Sequence, residues 1–282
     1  MHLSRRITSL TNDRVKDVIR LRQRSHRDEQ NQMLIEGYRE IGRALANGHN
    51  PTEIFICPEM FQGSNEASLI EACRAAGAQA TECSSSVFAK MAYRERPEGL
   101  LAVAPQVRRR LADINLPVNP LVVVAESVEK PGNLGTILRS ADAAGVHAVI
   151  VCDRCTDINN PNVVRASIGA VFSLPVVEAP TSDVVPWLKE RGIRILSASP
   201  HAKTVYTDEN MSLGTAIVLG SEQYGLSGQW MKAADTQVRI PMLGQSDSLN
   251  VAAAATILLF EAVRQRGLDR TTGAVTRENK HA

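Results

Sequence analysis

The sequence predicts an α/β protein in two parts: a small mixed domain followed by a larger one with a mostly parallel sheet. Three observations carry this. From residue 121 onward, near-continuous apolar runs alternate with helical segments, the pattern of strands buried on both faces and crossed over by helices. Before residue 105, shorter helical and strand-like pieces alternate as well. Between them, residues 105–120 carry three prolines (Pro105, Pro117, Pro120) and the consecutive arginines Arg108, Arg109 and Arg110, the composition of a connector. The 282 residues are enough for two domains, and a hydrophobic share of 44% can fill their cores. The expected division is a first domain at 1–104, a linker at 105–120, a second domain at 121–267 and a frayed polar tail at 268–282.

In chain order, residues 4–27 read as a basic helix with Val15, Val18, Ile19 and Leu21 as its apolar positions. Leu34, Tyr38, Ile41 and Leu45 recur at four- and three-residue steps, a helical stripe stopped by Gly48 and Pro51. Residues 54–57 read as a strand, 69–76 as a helix ending at Gly77, 79–83 as a strand, 87–92 as helical and 100–104 as a strand. In the second part, strands are expected at 121–125, 148–152, 174–177, 194–197, 216–219 and 237–240. Helices are expected at 134–144, 161–171, 182–191, 227–232 and 249–266. Ligands of such sheets bind beyond the C-terminal ends of the strands.

Composition narrows the function classes. An aromatic share of 4% argues against a broad base-stacking surface. Net charge is only +2, but residues 1–27 hold eight basic side chains (Arg5, Arg6, Arg14, Lys16, Arg20, Arg22, Arg24, Arg27) against Asp13 and Asp17. Such a face can neutralise phosphates, or it is a solvated helix surface; the count alone leaves both open. Cys152-Asp-Arg-Cys155 is a CxxC with no second ligand pair behind it, so two small residues at a strand end is the favoured reading over a metal or redox site. The chain starts without an apolar leader, and its longest apolar stretch, 251–260, is too short to span a bilayer, so a reduced cytoplasmic protein is expected.

Chemistry-bearing residues concentrate in three loops after strands. Gly132-Asn133-Leu134-Gly135 opens a helix, where glycines allow close backbone approach and helix-start N–H groups favour anions, though a tight turn with Asn133 as its cap explains it equally. Arg139 follows on the same helix among apolar and small residues; buried, it would need a partner. Glu222, in Gly220-Ser-Glu222, has no structural task at its turn and reads as either a surface carboxylate or an orienting one. Ser248 is a sufficient cap for the apolar helix behind it, which leaves Asn250, inside the expected first turn, in need of another role.

Joint order and spacing are more telling than any one loop. Asn133, Gly135, Arg139, Ser140 and Ala141; Gly220 to Leu226 as Gly-x-Glu-x-x-Gly-Leu; and Ile240-Pro-Met242 with Ser248-Leu-Asn-Val251 to Ala254 together resemble the three motifs of the SpoU (TrmH-type) RNA ribose methyltransferases of the SPOUT superfamily. Leu34 to Glu40 resembles the opening helix, and Gly99 to Val103 the last strand, of the L30e-like RNA-binding domain that often precedes this catalytic domain. The resemblance implies a C-terminal α/β knot, a deep trefoil made from roughly residues 215–260, behind an L30e-like domain. It implies S-adenosylmethionine as methyl donor, held mainly by backbone, with Leu219, Gly220, Ile240, Met242, Ser248 and Leu249 as its contacts. It implies Asn133, Arg139, Glu222, Ser248 and Asn250 as the catalytic set, with no metal.

Methyl transfer to a ribose 2′-hydroxyl needs alignment and a place for the departing proton. Arg139 matches the family's candidate for activating the hydroxyl, although a guanidinium is better suited to clamping the neighbouring phosphate. Further implications are a homodimer through the knot domain and an RNA partner, ribosomal or transfer, with Arg20, Arg22, Arg24 and Arg27 touching its phosphates. The competing readings are a catalytically silent knotted RNA-binding protein, a knotted methyltransferase acting on a base nitrogen, and a generic nucleotide-binding α/β enzyme.

Overall fold

The computed structural model describes residues 6–153 and 156–267. Chain order in the first part is Arg6–Ile7 (β1), Asp13–Arg20 (α1), Arg24–Gln30 (α2), Gln32–Glu36 (β2), Tyr38–Ala46 (α3), Glu53–Ile56 (β3), Glu66–Ala75 (α4), Gln79–Cys83 (β4), Ser85–Met91 (α5) and Leu100–Pro105 (β5). The second part runs Leu121–Glu126 (β6), Pro131–Ala143 (α6), Ala148–Cys152 (β7), Pro161–Ala166 (α7), Ala170–Ser173 (α8), Val176–Ala179 (β8), Thr181–Glu190 (α9), Arg194–Ala198 (β9), Thr204–Val205 (β10), Thr215–Leu219 (β11), Gly228–Ala233 (α10), Thr236–Arg239 (β12) and Val251–Gln265 (α11).

The first sheet has the order β1-β4-β3-β5-β2, parallel from β1 to β3 and antiparallel around β5. The second is a seven-stranded sheet, β10-β12-β9-β11-β6-β7-β8, in which every pair is parallel. Its central strands β11, β6 and β7 are buried at every residue, which is why they read as unbroken apolar runs. Their register is level: Leu219 pairs with Ala125, and Glu126 with Cys152. The loops after β6 and β11 therefore leave the sheet side by side. Among the described residues no helix is long and apolar enough to cross a membrane.

Several expectations are corrected. Residues 6–27 do not form one helix: β1 joins the sheet edge, Asn12 caps α1 by accepting the Arg14 N–H, and a turn separates α1 from α2. The stripe beginning at Leu34 starts as strand β2. Met33, Leu34 and Ile35 are all buried, and a strand covered on both faces shows no period of two. Gly37, at φ 110°, makes the sharp change into α3. The expected helix at 161–171 is broken by Ile168 and Gly169, both left-handed, and a Cβ on Gly169 would come within 3.3 Å of Glu40 Cα in α3. The strand expected at 174–177 is displaced to Val176–Ala179, and the edge strand β10 was missed.

Residues 105–120 are no free connector. The Val107 N–H donates to Asn159 Oδ1 at 2.7 Å, its carbonyl accepts from Asn159 Nδ2 at 3.3 Å, and Arg109 donates to the Leu174 carbonyl. One apolar cluster runs through both parts, joining Met33, Ile35 and Ile41 to Val163, Val164 and Val171. The 268–282 tail, Arg5 and Cys155 lie outside the described residues.

Candidate active site

The three loops meet at Asn133. Pro131 occupies the first turn of α6, where its missing N–H costs nothing, and Asn133 follows inside that turn rather than capping it. Its Nδ2 donates to Glu222 Oε1 in the loop after β11, 89 residues away. Its Oδ1 accepts from Asn250 Nδ2 at 3.1 Å, across 117 residues. The Glu222 carboxylate also accepts the Glu129 N–H at 3.4 Å. Asn250 is itself the cap of α11, its Oδ1 accepting from Ala252 N at 3.0 Å and Ala253 N at 3.4 Å, so the cap is not Ser248. A continuous chain, Glu222–Asn133–Asn250, thus joins three distant segments and fixes the middle amide from both sides.

Glycines here serve packing more than ligand approach. A Cβ on Gly135 would stand 2.5 Å from Ala166 Cβ, so this residue lets α6 lie directly on α7. A Cβ on Gly220 would overlap the carbonyl group of Gly225. The Gly220–Gly225 loop folds back on itself, closed by Ser221 N to Gly225 O at 3.1 Å, the reverse bond at 3.0 Å, and Tyr224 N to Ser221 Oγ at 3.1 Å.

Arg139 is exposed, and among the described residues it has no hydrogen-bond or ion-pair partner. The fold leaves a free guanidinium on the helix that carries Asn133, without joining it to the hydrogen-bonded chain. Ser248 is likewise exposed with an unengaged hydroxyl. Glu126 was not foreseen. It ends the apolar strand β6, is buried, and accepts the Ser227 N–H at 2.8 Å, holding the far end of the Glu222 loop. A glutamate closing a run of valines was the available signal. Cys152, at the end of β7, is pushed up to about 12 by burial and stays a thiol.

The expected cofactor residues lie at the end of β11 and on the segment between β12 and α11. β11 pairs with β9 up to Val218 and Ser197, whereas Leu219 pairs only with Ala125 of β6; on its other edge β9 pairs with β12 as far as Ala198. The Leu219 main chain faces β6, as the Thr215 N–H bond to the Pro120 carbonyl sets, and beyond Val218 the β9 side of β11 carries no further ladder pair. Half-buried Ile240 packs against the apolar cluster that contains Leu219, Met242 is half-buried, Leu249 is exposed and Leu243 is 99% exposed. A cleft of about 610 Å³ elsewhere, between the linker and the ends of β7 and β8, contains none of these residues.

The basic N-terminal segment is less available than its composition suggested. Arg20 is exposed, Arg24 pairs with Asp28 at 3.7 Å, and Arg22 donates to the carbonyls of Lys90 and Ala92, both at 2.7 Å. Arg27 is a correction: it is 1% exposed, bonded to Asp157 at 2.7 Å and to the Leu21 and Arg22 carbonyls. A guanidinium so enclosed has no face left for phosphate; it links the two parts of the molecule.

Comparison with known proteins agrees with this geometry. Residues 120–260 match the SpoU rRNA Methylase family, and residues 12–102 match the MRM3-like substrate binding domain. The 23S rRNA (uridine(2479)-2′-O)-methyltransferase of Streptomyces viridochromogenes is 32% identical, covering 88% of this chain and 88% of its own length. The 23S rRNA (guanosine(2553)-2′-O)-methyltransferase RlmP of Bacillus subtilis is 30% identical, over 91% and 98%. Among solved structures, an RNA 2′-O ribose methyltransferase is 43% identical with a TM-score of 0.82, covering 93% of this chain and 99% of that one. An AdoMet-bound rRNA methyltransferase from Sinorhizobium meliloti is 32% identical with a TM-score of 0.85, over 92% and 97%. With half its length matched by one family and relatives aligned along nearly all of it, the chain belongs to the SpoU rRNA methylase family.

Proposed function

We propose that this protein transfers the methyl group of S-adenosylmethionine to a ribose 2′-hydroxyl of RNA, with ribosomal RNA as the substrate class. The observation that carries the reading is the Glu222–Asn133–Asn250 chain beside the unpaired Arg139. The named activities of the Streptomyces and Bacillus relatives, and the bound AdoMet of the Sinorhizobium structure, support it.

The donor, which Leu219, Gly220, Ile240, Met242, Ser248 and Leu249 would hold, would supply an electrophilic methyl group. The rest falls to the protein's side chains. Asn133, held by two partners, presents its amide in one orientation and has little freedom to lose when the ribose docks. Arg139 keeps its charge, so its guanidinium binds the phosphate beside the target ribose and favours the developing oxyanion electrostatically, while the hydroxyl proton passes to water. Glu222 holds Asn133, and the Ser248 hydroxyl is free to donate to donor or ribose.

Two structural expectations belong to the same reading. The return of the chain from β12, outside β9, to α11 packed against β11 and α6 supports a knotted path through residues 215–260. Tyr224, Leu243, Leu249 and Phe260 are each exposed, and burying such apolar side chains against a second copy of the chain gives a homodimer.

The test is methylation of total RNA from a strain lacking the gene, with labelled S-adenosylmethionine and nucleoside analysis of the product. The expected label is in one 2′-O-methylnucleoside, reduced about a hundredfold or more in Arg139→Ala and Asn133→Ala. Label in a methylated base would defeat the reading, as would wild-type rates in both variants.

A further inference from the structure

The two parts of the molecule also meet on the surface next to α6. The loop after α5 carries Tyr93, and its main chain is tied down from beneath. The Glu36 carboxylate, 6% exposed, accepts the Tyr93 N–H at 2.6 Å and the Arg94 N–H at 3.2 Å. The Arg94 guanidinium donates to Glu40 at 2.7 Å and to the Glu36 carbonyl at 3.2 Å. Tyr93 itself remains 36% exposed, with the Arg22 guanidinium 6.0 Å from its ring centre. Its hydroxyl oxygen accepts from Asn162 Nδ2 of α7 at 2.9 Å, and Asn162 Oδ1 accepts from Arg165 at 3.1 Å. Helix α7 lies on α6 at Gly135, and Arg139 follows Gly135 by one turn, which puts it on the α7 side of α6. Tyr93 thus reaches α7 through Asn162, which also binds Arg165, and α7 in turn lies on the helix that bears Asn133 and Arg139.

We infer that this strip is the path of a single-stranded RNA segment entering the site, with Tyr93 stacking an unpaired base, Arg165 holding the adjoining phosphate and Arg139 the phosphate at the reacting ribose. The inference rests on the RNA methylation proposed above and names how its substrate is presented. An aromatic side chain on a loop fixed from below loses little freedom on binding, and every base offers it a π-face. Exposed guanidinium groups match phosphate in fork geometry. Bases inside a duplex are already stacked and cannot reach the ring, so the strip selects a loop or an open strand.

The experiment measures binding of a short fluorescein-labelled unstructured RNA to the full chain at several salt concentrations. Tyr93→Ala is expected to weaken binding about tenfold and Tyr93→Phe by no more than about twofold, since the phenyl ring still stacks. Arg165→Gln is expected to lower the slope of log affinity against log salt by about one. A duplex of the same sequence should bind more weakly than the single strand. Melting temperature and S-adenosylmethionine binding by calorimetry check that each variant is folded. Should Tyr93→Ala melt early, Tyr93→Leu fills the space without a ring and carries the same expectation. Wild-type affinity in the ring-deleted variant overturns the inference, as does a loss in Tyr93→Phe equal to that in Tyr93→Ala, which would assign the effect to the Asn162 tether. Methylated ribose in total RNA alongside unchanged binding in the variants overturns the strip alone. Weakened binding in the variants with no methylated ribose supports the strip and removes the reaction.

Discussion

At the scale of single residues, position in the hydrogen-bond pattern separates functional groups from surface ones. Glu222 and Arg139 are both exposed, and sequence alone gave neither a decisive role. Glu222 turns out to be half of a bonded pair with Asn133, while Arg139 is left free. Gly220 shows the opposite relation between sequence and space: its lack of a side chain is required by its own loop. Replacing it with alanine forces the Gly220–Gly225 turn open and displaces Glu222. The expected outcome is at least a tenfold loss of S-adenosylmethionine affinity by calorimetry, with a stability cost of about 1–3 kcal/mol. Cofactor binding equal to wild type would show that the loop geometry is dispensable. Arg27 marks where counting charges misleads. Arg20, Arg22 and Arg24 precede it, but an ion pair with Asp157 cannot be seen without knowing that the chain returns there 130 residues later.

At the scale of elements, the legible parts of the fold were those with uniform surroundings. Strands 148–152 and 79–83 were placed to the residue, the first as an apolar run and the second as a short segment set just beyond the helix stop at Gly77. β2 was misread for a related reason: buried on both faces, it lost the alternation that distinguishes a strand and merged with the stripe of α3. The break between α7 and α8 falls where Gly169 meets α3, a long-range contact with no local signature. The site followed the same division. The three motif loops were legible from order and spacing, whereas Glu126 and Tyr93 gained roles only through partners about 100 and 60 residues away.

The start of β6 gives a prediction at this scale. The Leu121 N–H donates to His147 Nδ1 at 3.0 Å, and the Leu121 carbonyl accepts the His147 N–H. Burial, with the Arg266 charge nearby, holds this imidazole below its usual range. The folded state thus favours the neutral ring. Its contribution is complete above the unfolded value of about 6.5 and is lost as pH falls toward the lower folded value. Between those limits, stability in urea titrations should fall on acidification by about 1 kcal/mol attributable to this bond. His147→Gln should flatten that part of the profile. An unchanged profile in the variant would assign the slope to other groups, including the half-buried His49, which is shifted the same way by desolvation.

At the scale of the whole molecule, the two sheets behave as parts of one packed body. A shared apolar cluster, the Asn159 clamp on Val107 and the Arg27–Asp157 pair join them. Arg27→Met strands a buried carboxylate and should destabilise the protein by about 3–5 kcal/mol, whereas pairing it with Asp157→Leu should recover most of that loss. Chemical denaturation of both variants measures this. Equal destabilisation in the single and double variants would mean that the pair contributes packing rather than charge compensation. RNA affinity of the folded double variant should match the wild type, because neither side chain reaches solvent.

Helix α11 binds at both ends. At its start, Asn250 turns the first turn's N–H groups and Asn133 into one bonded unit. At its finish, Gln265 accepts the Met211 N–H and Arg266 donates to the carbonyls of Met211, Asn119 and Pro120. This has a consequence for the order in which the protein comes into being. During synthesis the first two motifs emerge while the third is still to be made, and Asn133 then has Glu222 but not Asn250. A nascent chain can therefore fold its first sheet and much of its second without possessing a finished site. The amide acquires its second partner only when the last described helix has been made and seated, so catalytic competence arrives as one of the final events of folding.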